Sequence, residues 1–183
     1  NSINACLRIG GISWKDIDHI GYYFQPWREF FSMCKFRLKH SYMSPMTCAY
    51  YQVYYLDNLR RHLVIPRLIH DECGRDVKFH WFSHHLCHAS SAYFTSTFEE
   101  SAILVIDALS EIECTSLYKA NGNKIEKLLS YNFPHSLGFL YATMTDYLGF
   151  KSNNDEYKVM GLASLGRPVY FEKLKDVVNI KPD

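Results

Sequence analysis

Two histidines four residues apart, followed nineteen positions later by an aspartate that closes an apolar run, constrain this chain more than any other feature. In the run HHLCH, His84 and His88 project from one face of a helix about one turn apart. His85 lies about 100° round the helix and is expected to take no part. Asp107 ends AILVI, which reads as a buried strand, and a carboxylate at the C-terminal end of such a strand faces the crevice where α/β proteins bind ligands. Two neutral imidazoles and one carboxylate form a borderline-hard donor set suited to Fe, Zn or Mn, with coordination positions left for a substrate. On spacing alone, a histidine pair is more often a capping or core feature. A zinc-protease reading fails, because His85 stands where HExxH requires the glutamate base.

The flanking residues sharpen the local expectation. VKFHWF reads as a strand and Ser83 as the N-cap of the helix that the histidines open. At that end the helix dipole disfavours imidazolium, so neutral rings are expected.

Taken in order, SINACLRI reads as a short helix stopped at Gly10-Gly11, and Asp16 to Phe24 as a strand. Residues 26–46 show no clean period and read as a variable insertion. Thr47 to Leu63 reads as a helix ending in the basic cluster Arg60, Arg61 and His62, with Tyr50, Tyr51, Tyr54 and Tyr55 packing on the sheet. The polar stretch DECGRD reads as a loop, and Thr95 to Glu100 as a break between lobes. SAILVID, CTSLYKA and KIEKLLSYNF follow as strands, the last two joined by a tight turn at Asn121-Gly122. A helix over 136–148 and a last one in FEKLKDVV complete an α/β pattern.

Composition removes several classes of function. A net charge of +1, from 20 basic and 19 acidic residues, supplies no field to recruit nucleic acid or an anionic membrane. The six cysteines form no CxxC pair, and no signal peptide or apolar span is evident. Reduced thiols in a cytoplasmic protein are therefore expected.

Three ordered motifs carry a resemblance: HHLCHASSAYFTSTFEESAILVIDALSE, NFPHSLGFLYATMTDYLGFK and EYKVMGLASLG. Together with the opening NSINACLRIGGISWKDIDHIGYYF, they resemble the carbamoyltransferase family of the NodU/CmcH type. The resemblance implies an actin-like ATPase, ribonuclease-H-like fold, here an incomplete two-lobe domain with residues 1–98 ending the first lobe and 99–183 beginning the second. An N-terminal truncation is expected, since Asn1 replaces an initiator Met and the family's first hairpins would precede it.

The implied chemistry is O-carbamoyl transfer. An appended domain makes carbamoyladenylate from carbamoyl phosphate and ATP, and the actin-like domain passes the carbamoyl group to a hydroxyl of a small-molecule acceptor. By the same resemblance, His84, His88 and Asp107 bind a divalent metal, iron ahead of zinc or manganese. Asp107, Glu156 and Lys158 are the expected catalytic residues, and Ser110, Glu111, Ser136, Gly138 and Gly161 the expected nucleotide-binding ones. Family members carry Asp-Gly after the strand where this chain has Asp107-Ala108, and a Cβ there restricts the approach of a phosphate. Ser164-Leu165 replaces the family's Pro-Tyr. A homodimer is compatible with this picture. The alternatives are a non-catalytic metal- or nucleotide-binding module of the same fold, or threonylcarbamoyl transfer to tRNA.

Overall fold

The computed structural model describes residues 2–39, 45–176 and 178, with the backbone alone at 45–52 and 54. Two short aromatic-rich segments pair first. β1 (His19–Tyr22) lies parallel to β2 (Lys78–Trp81), with Tyr22 opposite Trp81. A parallel pair needs a long crossover, here supplied by helices α2 (Pro26–Lys39) and α3 (Pro45–Cys73). A short helix α1 (Ser2–Gly10) and a 3-10 turn (Trp14–Asp16) precede β1, so the strand is shorter than the expected 16–24.

The stretch 26–46, expected to be an irregular insertion, contains a regular helix over its described part. Pro26 occupies the first turn, Glu29 follows within it, and Arg37 and Lys39 close the last turn. These end signals match the dipole even though the apolar residues show no clean stripe. α3 also runs ten residues past the expected end at Leu63. The basic cluster sits mid-helix, the helix continues through Pro66, and the stop comes at Gly74, whose φ of 65° suits a left-handed cap and whose N–H donates to the His70 carbonyl at 2.9 Å. Side-chain packing of Tyr50, Tyr51 and Tyr54 lies outside the described residues. Tyr55 receives the Arg37 guanidinium over its ring at 5.2 Å.

The second sheet is antiparallel in the order β3 (Glu100–Ile106), β4 (Glu113–Asn121), β5 (Lys124–Asn132). The expected turn is present, with Gly122 at φ 54° between β4 and β5. Helix α4 (His84–Phe94) covers one face of this sheet. Ala89 and Tyr93 pack there with Ile103, Val105, Tyr118 and Ala120. The expectation that AILVI is buried on both sides is corrected, because Ile103 and Val105 are buried whereas Leu104 is 62% and Ile106 54% exposed. With one helical layer, the strand alternates as a half-covered sheet does.

By contacts, residues Asn1–Leu137 form one compact unit and Gly138–Asp183 another. The second holds most of α5 (Leu137–Tyr147), with α6 (Glu156–Ala163) and α7 (Phe171–Lys175). Asp146 and Asp155 pin its turn by accepting the N–H groups of Ser152 (2.9 Å) and Lys151 (3.2 Å). Both a parallel and an antiparallel sheet with flanking helices are present, so the fold is mixed α/β. Among the described residues, no helix is long and apolar enough to cross a membrane.

α2 buries one acid. Glu29 is 6% exposed and accepts from Asn58 Nδ2 at 2.6 Å, and desolvation pushes its carboxyl from 4.5 up to about 7. The native state therefore holds a proton that the unfolded chain releases above pH 4.5. Stability should fall as pH rises from about 4.5 to 7, by roughly 3 kcal/mol in all. Glu29→Gln is expected to flatten that slope in urea denaturation at pH 5 and pH 7.5. An unchanged slope would show that Glu29 titrates normally.

Candidate metal centre

α4 begins at His84, as its sequence suggests, but its cap comes from elsewhere. Ser83 has the extended backbone of an N-cap residue (φ −63°, ψ 137°), yet its hydroxyl is buried and makes no capping bond. Glu111 supplies the acceptor instead. Its Oε1 takes the backbone N–H of His84 and that of Gln25, each at 3.0 Å. A carboxylate both bonds the free N–H more strongly than a hydroxyl and complements the positive end of the helix.

The helical register brings the two histidines together. His84 Nε2 and His88 Nε2 are 3.0 Å apart, with their rings nearly perpendicular at 89°. Asp107, just past the end of β3, points Oδ2 to 3.2 Å from His84 Nε2 and 3.8 Å from His88 Nε2. One donor atom from each residue falls within 4.8 Å of the other two. His84 and Asp107 are half-buried, and His88 opens the cluster to solvent. Asp107 is held through both backbone and side chain: its N–H donates to the Cys114 carbonyl at 2.8 Å, and its Oδ1 accepts from Ala108 N–H at 2.7 Å. Tyr23 and Phe24 wall the His84 ring, with centroids 5.5 and 6.4 Å away.

At His84 a second influence opposes that of the helix terminus. The hydrogen bond that His84 donates to the Asp107 carboxylate raises the affinity of His84 for its proton, against the effect of burial, and holds the Asp107 carboxyl below its usual range. A direct carboxylate partner outweighs a helix terminus. Two imidazole nitrogens and one carboxylate oxygen, converging from a rigid helix and a strand end, fit a divalent transition metal.

His85, expected to be a bystander, lies about 100° round α4 from His84 and is fully buried. Its Nδ1 meets Ser116 Oγ at 2.7 Å and Glu113 Oε2 at 3.8 Å. Glu113 is itself clamped by Arg28 Nη2 at 2.6 Å and by Lys127. This network was not legible as a motif. A register irregularity between Glu113 and Thr115 places Glu113 on the same buried side as Ser116 and Tyr118, a shift that strict alternation does not show. Ser116 is 1% exposed, so the Ser–His–Glu grouping is a buried scaffold with no access for a substrate.

The other expected site residues divide between the units. Ser110 and Glu111 are buried in the loop after Asp107. The Ser110 hydroxyl donates to the Glu113 carbonyl at 3.2 Å, and Glu111 Oε2 has no hydrogen-bond partner among the described residues. Ser136, also in the first unit, donates its hydroxyl to the Ala108 carbonyl of that same loop at 2.6 Å. Gly138, Glu156, Lys158 and Gly161 belong to the second unit. There Glu156 accepts from Asn153 N–H, and Lys158 pairs with Asp155 at 2.8 Å rather than with Glu156. Among the described residues, nothing lies within 4 Å of where a Cβ on Gly161 would sit.

Comparison with known proteins places this geometry in context. Residues 1–180 match the family described as "Carbamoyltransferase N-terminus". An uncharacterized protein of Synechocystis is 35% identical over 99% of the chain, which covers 30% of that protein. The nodulation protein NolNO of Sinorhizobium fredii is 35% identical over 91% of the chain and 23% of its own length. The nodulation protein NolO of Bradyrhizobium diazoefficiens is 38% identical over half of the chain. The chain thus spans less than a third of the length of these relatives.

Proposed function

The chain belongs to the carbamoyltransferase family, and from that premise we propose that it carries the transfer site of an O-carbamoyltransferase, with His84, His88 and Asp107 as ligands of a divalent metal. The observation that carries this reading is the convergence of the three donor atoms within 4.8 Å. Iron is the first candidate, with zinc or manganese next. An actin-like arrangement, with residues 1–98 closing one lobe and 99–183 opening the next, is part of the proposal.

The reaction proposed is attack of an acceptor hydroxyl on the carbamoyl carbon of carbamoyladenylate. The new carbon–oxygen bond forms as the bond to the phosphate oxygen of AMP breaks, and the hydroxyl proton is lost. Carbamoyladenylate itself would come from carbamoyl phosphate and ATP. A bound divalent ion supplies Lewis-acid stabilisation of charge developing on the transferring group. Asp107 contributes the negative charge that holds a cation, and the α4 backbone fixes the two imidazoles relative to it. In the first unit Ser110 and Ser136 are the proposed contacts to the adenylate, whereas Glu111 is fully buried against the start of α4; for Gly138, Glu156, Lys158 and Gly161 of the second unit, the nucleotide-binding and catalytic roles implied by the family resemblance are proposed separately. Because protons compete with a metal for both imidazoles, metal uptake should weaken as pH falls.

The test uses the natural full-length protein. Elemental analysis should find about one divalent metal per chain, and AMP release should depend on both carbamoyl phosphate and a hydroxyl acceptor. His84→Ala and His88→Ala should each lower metal content and transfer by about tenfold or more, the scale set by losing even groups that support a ligand. Full metal content in either variant would remove that histidine from the site.

A further inference from the structure

The metal-ligand reading explains Asp107 and the two histidines but leaves unexplained why a fully buried carboxylate sits four residues after Asp107. Glu111 is 0% exposed. Its Oε1 collects the backbone N–H groups of two remote segments: Gln25, between β1 and α2, and His84, at the first position of α4. The residue formally in the capping position, Ser83, makes no such bond. The side-chain cap of α4 is therefore supplied by the 107–113 loop, while Ser83 contributes only its backbone carbonyl, which accepts the Cys87 N–H at 3.1 Å.

That loop also carries Asp107. Its two ends are tied across the β3–β4 hairpin, by Asp107 N–H to the Cys114 carbonyl (2.8 Å) and Ser110 N–H to the Glu113 carbonyl (2.9 Å). We infer that Glu111 is the positioning residue of this centre: one loop sets Asp107 directly and, through the Glu111 carboxylate, sets the backbone of His84. A ligand on a helix end that frays would sample many positions, whereas a buried acceptor shared with Gln25 locks the first turn. This assigns Glu111 a structural contact with the ligand helix, in contrast to contact with a nucleotide. It rests on the metal reading only for its effect on metal affinity, because the clamp itself is a feature of the backbone.

Two substitutions in the full-length protein separate acceptor from charge. Glu111→Leu removes both bonds at similar volume, whereas Glu111→Gln keeps a carbonyl oxygen able to accept both N–H groups. For the leucine variant, hydrogen exchange at the His84 and Gln25 amides should accelerate at least tenfold, and Co(II) binding, titrated directly, should weaken by about 10- to 100-fold. The glutamine variant should stay within about threefold of wild type on both measures, since it retains the accepting oxygen. Wild-type exchange at both amides in a folded leucine variant would overturn the inference. So would a glutamine variant with protected amides but lost Co(II) binding, which would show that Glu111 acts by charge. If the leucine variant does not fold, the glutamine result decides by the same criteria. If wild type binds no Co(II), the metal reading fails, and amide exchange alone judges the clamp.

Discussion

Replacing Asp107 with Asn should strip the centre of metal and lower carbamoyl transfer by about 100-fold or more, while the protein remains folded. The amide nearly preserves the volume and can still accept the Ala108 N–H that Asp107 Oδ1 accepts at 2.7 Å. It cannot supply the negative charge that now sits 3.2 Å from His84 Nε2 and 3.8 Å from His88 Nε2. A neutral amide is a poor ligand for a divalent ion, and removing a first ligand should cost at least as much as the 10- to 100-fold typical of groups that merely support one. Both partners of the His84–Asp107 pair are partly exposed, so its loss should cost no more than about 1 kcal/mol of stability. Elemental analysis, an AMP-release assay and a thermal melt on one variant test all three statements. An Asn variant that keeps its metal and its activity would make Asp107 a turn residue, for which Asn is an ordinary substitute.

His85→Ala should do the reverse. Truncating a fully buried side chain removes its packing against the sheet and leaves Ser116 Oγ without its 2.7 Å partner. It also takes away a neighbour of Glu113, which is buried and already balances Arg28 and Lys127. Cavity formation plus a disrupted buried hydrogen bond should cost about 2–4 kcal/mol, read as a lower urea midpoint. Metal bound per folded molecule should stay near wild type, because His85 faces the sheet and not Asp107. A loss below about 0.5 kcal/mol would mean that the network is not structural. Loss of metal from a stably folded variant would mean that it acts on the centre.

These two variants mark the boundary between what could be read along the chain and what could not. The i, i+4 spacing of His84 and His88 obliges their rings to share a helix face. The apolar run before Asp107 obliges that carboxylate to stand at a strand end. Asn121-Gly122 obliges a tight turn. Each rests on a local period or a backbone preference, so each is visible in a window of a few residues. α2 was hidden for a local reason too: its end signals fit a helix, but its apolar residues show no single stripe.

The rest was decided by segments that meet only in three dimensions. Glu111 caps α4 from 27 residues away and holds Gln25 from 86 away. Arg28 reaches Glu113 across 85 residues. A sequence window can assign Ser83 the cap because Ser favours that position, but it cannot foresee a carboxylate arriving from a hairpin loop and displacing it. Nor can it foresee that one irregularity in the β4 register turns Glu113 inward beneath His85. The sequence alone determined which residues could bind a metal, since that depends on spacing and side-chain chemistry. Tertiary structure decided which histidine is buried scaffold, which carboxylate accepts from the helix start and which faces the His84–His88 pair, because burial and long-range hydrogen bonds exist only once the remote segments have packed.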